Sequence, residues 1–393
     1  MPAPGSPHSK PHIAVIGAGA FGGWTALYLL RGGARVTLLD AWGPGNSRAS
    51  SGGETRIIRA IYGPNDKYTR LAAHALALWK ENEARWKQHL FHHSGMLWMV
   101  VAAEDAYEQA ALAVLRDADL GFDELSPADG RRRFPQINWD GVRWAIFEND
   151  AGFLPARRSC RMVLESFLAE GGEYRQLAVT PGEISSGHMR DISLSDGSKL
   201  SADQYVFACG PWLGKVFPDV IGAMIRPTRQ EVFFFGVPAG DARFSEPDMP
   251  VWIEHGPAHY FYGIPGNEDR GFKIADDNRG AAFDPTSGDR TPSADAIQLV
   301  REHLDHRFPG LRGAPLLEAR VCQYENTPDE NFIMDRHPAA TNVWIVGGGS
   351  GHGFKHGPAV GVMAAELVLG KRAVDPVFAL ARFQQGVEAG RVH

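Results

Sequence analysis

Cysteine is scarce: Cys160, Cys209 and Cys322 are three in 393 residues, widely spaced and in no C-x-x-C arrangement. That usage indicates neither a disulfide framework nor a zinc site, and it suits a reducing cytosol. Long blocks of Lys or Arg are also missing and the formal net charge is −6, which argues against nucleic acid or an anionic membrane surface as the main partner. A small molecule is the expected partner. The opening MPAPGSPHSKPH has no apolar stretch of the kind a secretory signal needs, so residues 1–9 are expected to form a flexible tail. The apolar stretch 13–30 is broken by glycines where a strand gives way to a helix, which argues against a membrane span. The chain closes on RVH and not on the S-K-L peroxisomal address. A cytoplasmic protein is expected, without internal repeats or low-complexity linkers.

Hydrophobic residues make up 44% of the chain, enough for two domain-sized cores. Residues 12–16 read as a buried strand, 17–23 as a glycine turn, 24–30 as a helix and 35–39 as a second buried strand. That is a βαβ unit. A helix is expected near 67–86 and another at 160–170, and 199–208 reads as a strand ending on Cys209 and Gly210. Between 232 and 275 the texture changes to short aromatic runs, VFFFG, HYFYGIPG and GFKIA, separated by Gly and Pro as in an antiparallel sheet. The late strand 342–346 then enters the run GGGSGHGFKH at 347–356, and a helix follows at 358–369. The fold class is α/β, α+β overall. A discontinuous Rossmann-like domain (10–90, 150–215 and 318–390) is expected to alternate with a substrate domain (91–149 and 216–317) built on a mostly antiparallel sheet with helices.

Gly17, Gly19 and Gly22 form G-x-G-x-x-G around Ala20 and Phe21, after a strand and before a helix. The first glycine permits the turn, the second lets backbone approach a pyrophosphate, and the third lets helix pack on strand. Asp40, at the end of the second strand, is placed to accept a ribose hydroxyl. This predicts a dinucleotide but does not separate FAD from NAD.

Four further stretches do: SSGGETRIIR at 50–59, YFYG at 260–263, GFKI at 271–274, and VCQYENTPDENFIMDRHPAATNVWIVGGGSGHGFKH at 321–356. Together they resemble the FAD-dependent amine oxidases of the D-amino-acid oxidase superfamily, in particular the monomeric sarcosine oxidase and N-methyltryptophan oxidase group. The likeness covers most of the chain and is weakest between 86 and 155. It implies FAD, linked covalently through Cys322, whose thiolate would lie at the benzenoid edge of the flavin. It implies catalytic positions at Lys273, Arg56, Tyr262 and Asp277, with Lys273 near flavin N5 activating O2 and Arg56 over the opposite flavin face. Arg59, Lys355 and Tyr262 match the positions that hold a substrate carboxylate. Further cofactor contacts are implied at Ser51, Thr55, Val179, Gly210, Trp212, Gly347, Gly349, Gly351, His352, Gly353 and Phe354.

Two departures stand out. Gly52 and Gly53 precede the acid Glu54 and imply a loose loop, and Asp277 replaces a family histidine that faces the substrate, which puts sarcosine itself in doubt. Trp98, Trp252 and Tyr260 suit either an aromatic pocket or plain core packing. No side chain stands out as a general base. The resemblance implies an oxidase of a secondary or N-methyl amino acid: hydride passes from amine to flavin, the imine hydrolyses, and O2 yields H2O2. A monomer without a metal site is expected. The rivals are a dehydrogenase with another acceptor and an oxidase of a cyclic imino acid or a sugar-modified amino acid. A nicotinamide-dependent or methyl-transferring Rossmann protein would leave Cys322 and the late block unexplained.

Overall fold

The computed structural model describes residues 10–385, so the tail expected at 1–9 and the end of the C-terminal segment lie outside the described residues. The chain divides into two compact units, one from residues 10–52, 156–226 and 325–385, the other from 53–155 and 227–324.

In the first unit a six-stranded sheet runs in the order Ile333–Arg336, Val343–Gly347, Gln204–Phe207, His12–Ile16, Arg35–Leu39, Glu173–Arg175. Its neighbours pair in parallel except for the edge strand Ile333–Arg336. Runs such as IAVI and VWIV alternate no polar residue because both faces of a parallel sheet are covered. The helix after the glycine turn, Ala20–Arg31, packs on Ala156–Ala169 and Gly357–Val368. It starts at Ala20, ahead of the expected residue 24, because Gly22 and Gly23 are tolerated where the helix presses on the turn.

The second unit is a two-faced sheet of eight strands, ordered Leu316–Asn326, Arg226–Phe235, Phe272–Asp276, Tyr260–Ile264, Val251–His255, Met96–Val100, Trp144–Glu148, Phe122–Leu125. Of the pairs with a resolved register, only Val251–His255 with Met96–Val100 is parallel. Side chains alternate across a strand, and the register therefore sorts them. Phe233, Phe235, Trp252, Phe261, Phe272 and Ile274 enter one core, which they share with Val300 and Leu304 of the helix Ala294–Arg307. Lys273, Tyr262, Tyr260 and Trp98 fall on the opposite face.

The first crossing between the units comes at Gly52 and not near residue 90. Thr55–Ile58 leaves the first unit because it pairs antiparallel with Gly152–Pro155, Arg56 opposite Leu154. The helix Asp66–Trp86 goes with it, opened by Asn65, whose side chain accepts the Tyr68 N–H. Among the described residues no helix is long and apolar enough to cross a membrane.

Phe272 holds the strand that presents Lys273 on its other face. Phe272→Ala is expected to lower the unfolding free energy by about 3–5 kcal/mol, read from denaturant titration; a loss below about 1 kcal/mol would mean that the face assignment is wrong.

Candidate active site

In the first unit the glycine turn is closed by its own backbone. Gly17 has φ +107°, and a Cβ there would lie 2.3 Å from the Ala208 carbonyl oxygen; at Gly22 it would lie 1.9 Å from that of Gly17. Neither position tolerates a side chain. The Asp40 carboxylate accepts three backbone N–H groups, from Ala18 at 2.8 Å, Trp42 at 2.8 Å and Gly43 at 2.7 Å. The acid expected at the ribose thus also staples the turn to the second strand. Ser51 Oγ accepts from the Ala20 amide at 3.1 Å. Gly19 caps the helix with no side-chain hydrogen bond, and the first turn carries no acid, so the positive helix end is available to an anion.

The late glycine run is held by an acid that sequence reasoning passed over. Glu325 Oε1 accepts the Gly349 N–H at 2.9 Å, and its backbone carbonyl accepts from Ser350 at 3.2 Å. Its Oε2 is buried without a hydrogen-bond partner among the described residues, and a Cβ on Gly210 would come within 3.3 Å of it. Gly347 ends its strand, Gly351 has φ +86°, and Gly353 lies against Gly349. His352 stacks on Phe332 at 4.8 Å and its Nε2 is 3.1 Å from the Glu330 carbonyl, while Lys355 is buried and donates to the His352 carbonyl at 3.3 Å. Phe354 opens the short turn that leads into the helix Gly357–Val368. Trp212 rests on Trp42, and Val179 sits apart in a small three-stranded sheet.

In the second unit, two cations meet one oxygen. Lys273 Nζ donates to the Thr55 carbonyl at 3.1 Å, and Arg56 Nη1 donates to the same oxygen at 2.7 Å. Arg56 Nη2 also lies 3.8 Å from Cys322 Sγ. Lys273 is 2% exposed, and burial, reinforced by Arg56 and opposed by Cys322, Asp277 and Glu54, brings its pKa down to about 7. Its ammonium stands 5.2 Å from the centre of the Tyr262 ring. Glu54, which precedes the shared carbonyl, is neutralised by Arg270 at 3.1 Å and Arg320 at 2.9 Å.

The loop before it is not loose. A Cβ on Gly52 would lie 1.9 Å from the Asn46 carbonyl, and one on Gly53 would lie 2.5 Å from the Arg56 guanidinium. These glycines are there because backbone and arginine fill the space. Arg59 is buried, donates to the Ile61 carbonyl, and sits 4.9 Å from the Tyr62 ring and 5.2 Å from that of Trp98. Arg59 and Lys355, expected to act as a pair, belong to different units. Glu108 fixes the aromatic wall beside Arg59, accepting from Trp98 Nε1 at 3.0 Å and pairing with His255 at 2.6 Å. Trp98 and Tyr260 belong to that wall, whereas Trp252 lies in the opposite core and lines no pocket with them.

Asp277 takes a hydrogen bond from the Tyr324 hydroxyl at 2.5 Å. Tyr324 went unnoticed, although it stands two residues after Cys322 and strand alternation puts both on one face. None of the cysteines takes part in a disulfide, and burial pushes the Cys209 thiol well up, as for an inert core cysteine. Among the described residues no cluster of His, Cys, Asp and Glu is placed to hold a metal ion.

Residues 12–367 match the family described as FAD dependent oxidoreductase. The chain belongs to that family. It is 30% identical to the monomeric sarcosine oxidase of Arthrobacter sp., over 94% of this chain and 96% of the relative. Against the N-methyl-L-tryptophan oxidase of Salmonella dublin it is 29% identical, over 96% of this chain and all of the relative. Among solved structures, L-proline dehydrogenase from P. horikoshii superposes with a TM-score of 0.85 at 20% identity, covering 96% of this chain and 99% of that one. This FAD-dependent oxidoreductase has amine oxidases acting on CH–NH bonds among its relatives.

The residues present fit FAD. The helix start behind Gly19, with no acid in its first turn, suits a pyrophosphate. In the same unit Glu325 Oε2 is a buried polar atom without a partner among the described residues, the state expected where a polar cofactor supplies the missing bond.

Burial raises the Glu325 carboxyl from 4.5 to about 7, against the pull of the Gly349 and Gly348 amides. Because the folded pKa lies above the unfolded one, the protein should lose stability as pH rises from 4.5 through 7. Glu325→Gln should remove that part of the slope, read as melting temperature against pH; parallel curves would contradict it.

Proposed function

We propose that this FAD-dependent oxidoreductase is a cytoplasmic, monomeric oxidase of secondary or N-methyl amino acids that passes electrons to O2 and releases H2O2. The observation that carries the reading is the pair of cations on the Thr55 carbonyl, Lys273 buried and Arg56 beside Cys322. Bound FAD supplies the hydride acceptor and the route of electrons to oxygen. The protein supplies position and charge. Arg59 and Lys355 are the carboxylate-binding cations, and Tyr262 lines the substrate beside Lys273. A carboxylate so held presents the C–H next to the amine for hydride transfer, and water then hydrolyses the imine. Lys273 and Arg56 stabilise the negative charge that develops as O2 is reduced. Cys322, whose Sγ lies 3.8 Å from the Arg56 guanidinium, is the residue that would carry the covalent link to the flavin.

The names of the relatives support secondary and N-methyl amino acids as the class of substrate. Asp277 and the aromatic wall beside Arg59 favour a substrate larger than sarcosine.

A panel of N-methyl, cyclic and sugar-modified amino acids should include at least one that releases peroxide in step with O2 consumption. Flavin reduction without reoxidation in air would replace the oxidase by a dehydrogenase. After acid precipitation the yellow colour should stay with the pellet, and Cys322→Ala should move it to the supernatant; a colourless wild-type pellet would refute the covalent link.

A further inference from the structure

The reading above needs a neutral amine, yet Lys273 and Arg56 already place two cations in a buried setting. A substrate ammonium beside them would be a third like charge. Its proton needs an acceptor. Asp277 follows the strand Phe272–Asp276 and falls on the face of Lys273, fixed there by its own N–H, which donates to the Tyr260 carbonyl at 2.7 Å. The Tyr324 hydroxyl donates to its carboxylate at 2.5 Å, short enough for a charge-assisted bond. Tyr262 shares this face and lies under the Lys273 ammonium.

We infer that Tyr324 and Asp277 form a relay that takes the proton from the substrate's secondary ammonium, with Asp277 as its terminal acceptor. This rests on the amino-acid oxidase reading. The ammonium proton goes to the Tyr324 oxygen as the Tyr324 proton passes to Asp277. The amine leaves neutral with its lone pair free, the carboxylate becomes a carboxylic acid, and no electrons move. Asp277 is only partly buried, so it returns the proton to water. Burial keeps the Tyr324 phenol protonated and able to hand a proton on.

The groups that face Asp277 are Lys273 from its own strand and Tyr260, Tyr262 and Tyr324 from the neighbouring ones. Arg279 stands over the Tyr324 ring at 5.2 Å and holds it in line. The adjacent Asp276 is not the acceptor, because it is spent on His259 at 2.7 Å and on the amides of Tyr260 and Asn278.

The test is anaerobic flavin reduction in the holoenzyme by the best substrate of the panel, followed against pH. Asp277→Asn should slow reduction at pH 7 by about 10²-fold and recover most of it as pH approaches the pKa of the substrate's own ammonium. Tyr324→Phe, which leaves the acid in place, should show the same recovery, and Asp277→Glu should stay close to wild type. Calorimetry in buffers of different ionisation enthalpy should find that binding N,N-dimethylglycine releases fewer protons to solvent in Asp277→Asn than in wild type. A loss uniform across pH, or an unchanged proton count, would reduce Asp277 to a structural role. Failure of every amino acid to reduce the wild-type flavin would instead overturn the functional reading, and the relay with it.

Discussion

One carbonyl oxygen, that of Thr55, receives both Lys273 and Arg56, and the second unit is arranged around that meeting. An ammonium at 2% exposure is costly to keep charged, and its pKa near 7 expresses the cost. Three features make the arrangement tolerable. The oxygen accepts from both cations, Asp277 and Glu54 supply opposing negative charge, and Gly53 leaves room for the Arg56 guanidinium to fold back. A side chain at 53 would push Arg56 away from the oxygen and from Cys322.

The sheet supplies the rigidity. Phe272 and Ile274 are anchored in the core under the helix Ala294–Arg307, so Lys273 between them has one direction to point. Tyr262 and Asp277 share that direction, and Tyr324 reaches Asp277 from the Leu316–Asn326 strand. The polar groups thus stand on strands whose other face is packed, which holds charged side chains in fixed geometry more firmly than a loop would. In the first unit the same economy uses backbone: glycines close the turn while Asp40 and Glu325 accept amides from the two glycine runs.

Much of this was legible because it is local. The glycine turn, the acid after the second strand, and the alternation of Phe272, Lys273 and Ile274 depend on residues within a few positions of each other. What was not legible depends on distant pairing. The crossing at Gly52 follows from Thr55–Ile58 pairing with residues nearly a hundred positions later, and no periodicity announces that. Trp252 and Trp98 read alike as aromatic strand residues, and only the register separates core from wall. Tyr324 and Asp277 meet across 47 positions, so an acid read as a departure from the family gained its partner only in three dimensions. The late glycine run was read as backbone meant for a ligand, and the acid that clamps it, Glu325, lay one residue past Tyr324 and looked like any strand glutamate.

On the proposed function the buried lysine serves oxygen and not the amine. Stopped-flow mixing of chemically reduced holoenzyme with O2, compared with anaerobic reduction by substrate, separates the two in wild type and in Lys273→Met. In Lys273→Met reoxidation should fall by about 10²-fold or more while reduction changes far less; equal losses in both half-reactions, or a reoxidation rate left unchanged, would rule that role out.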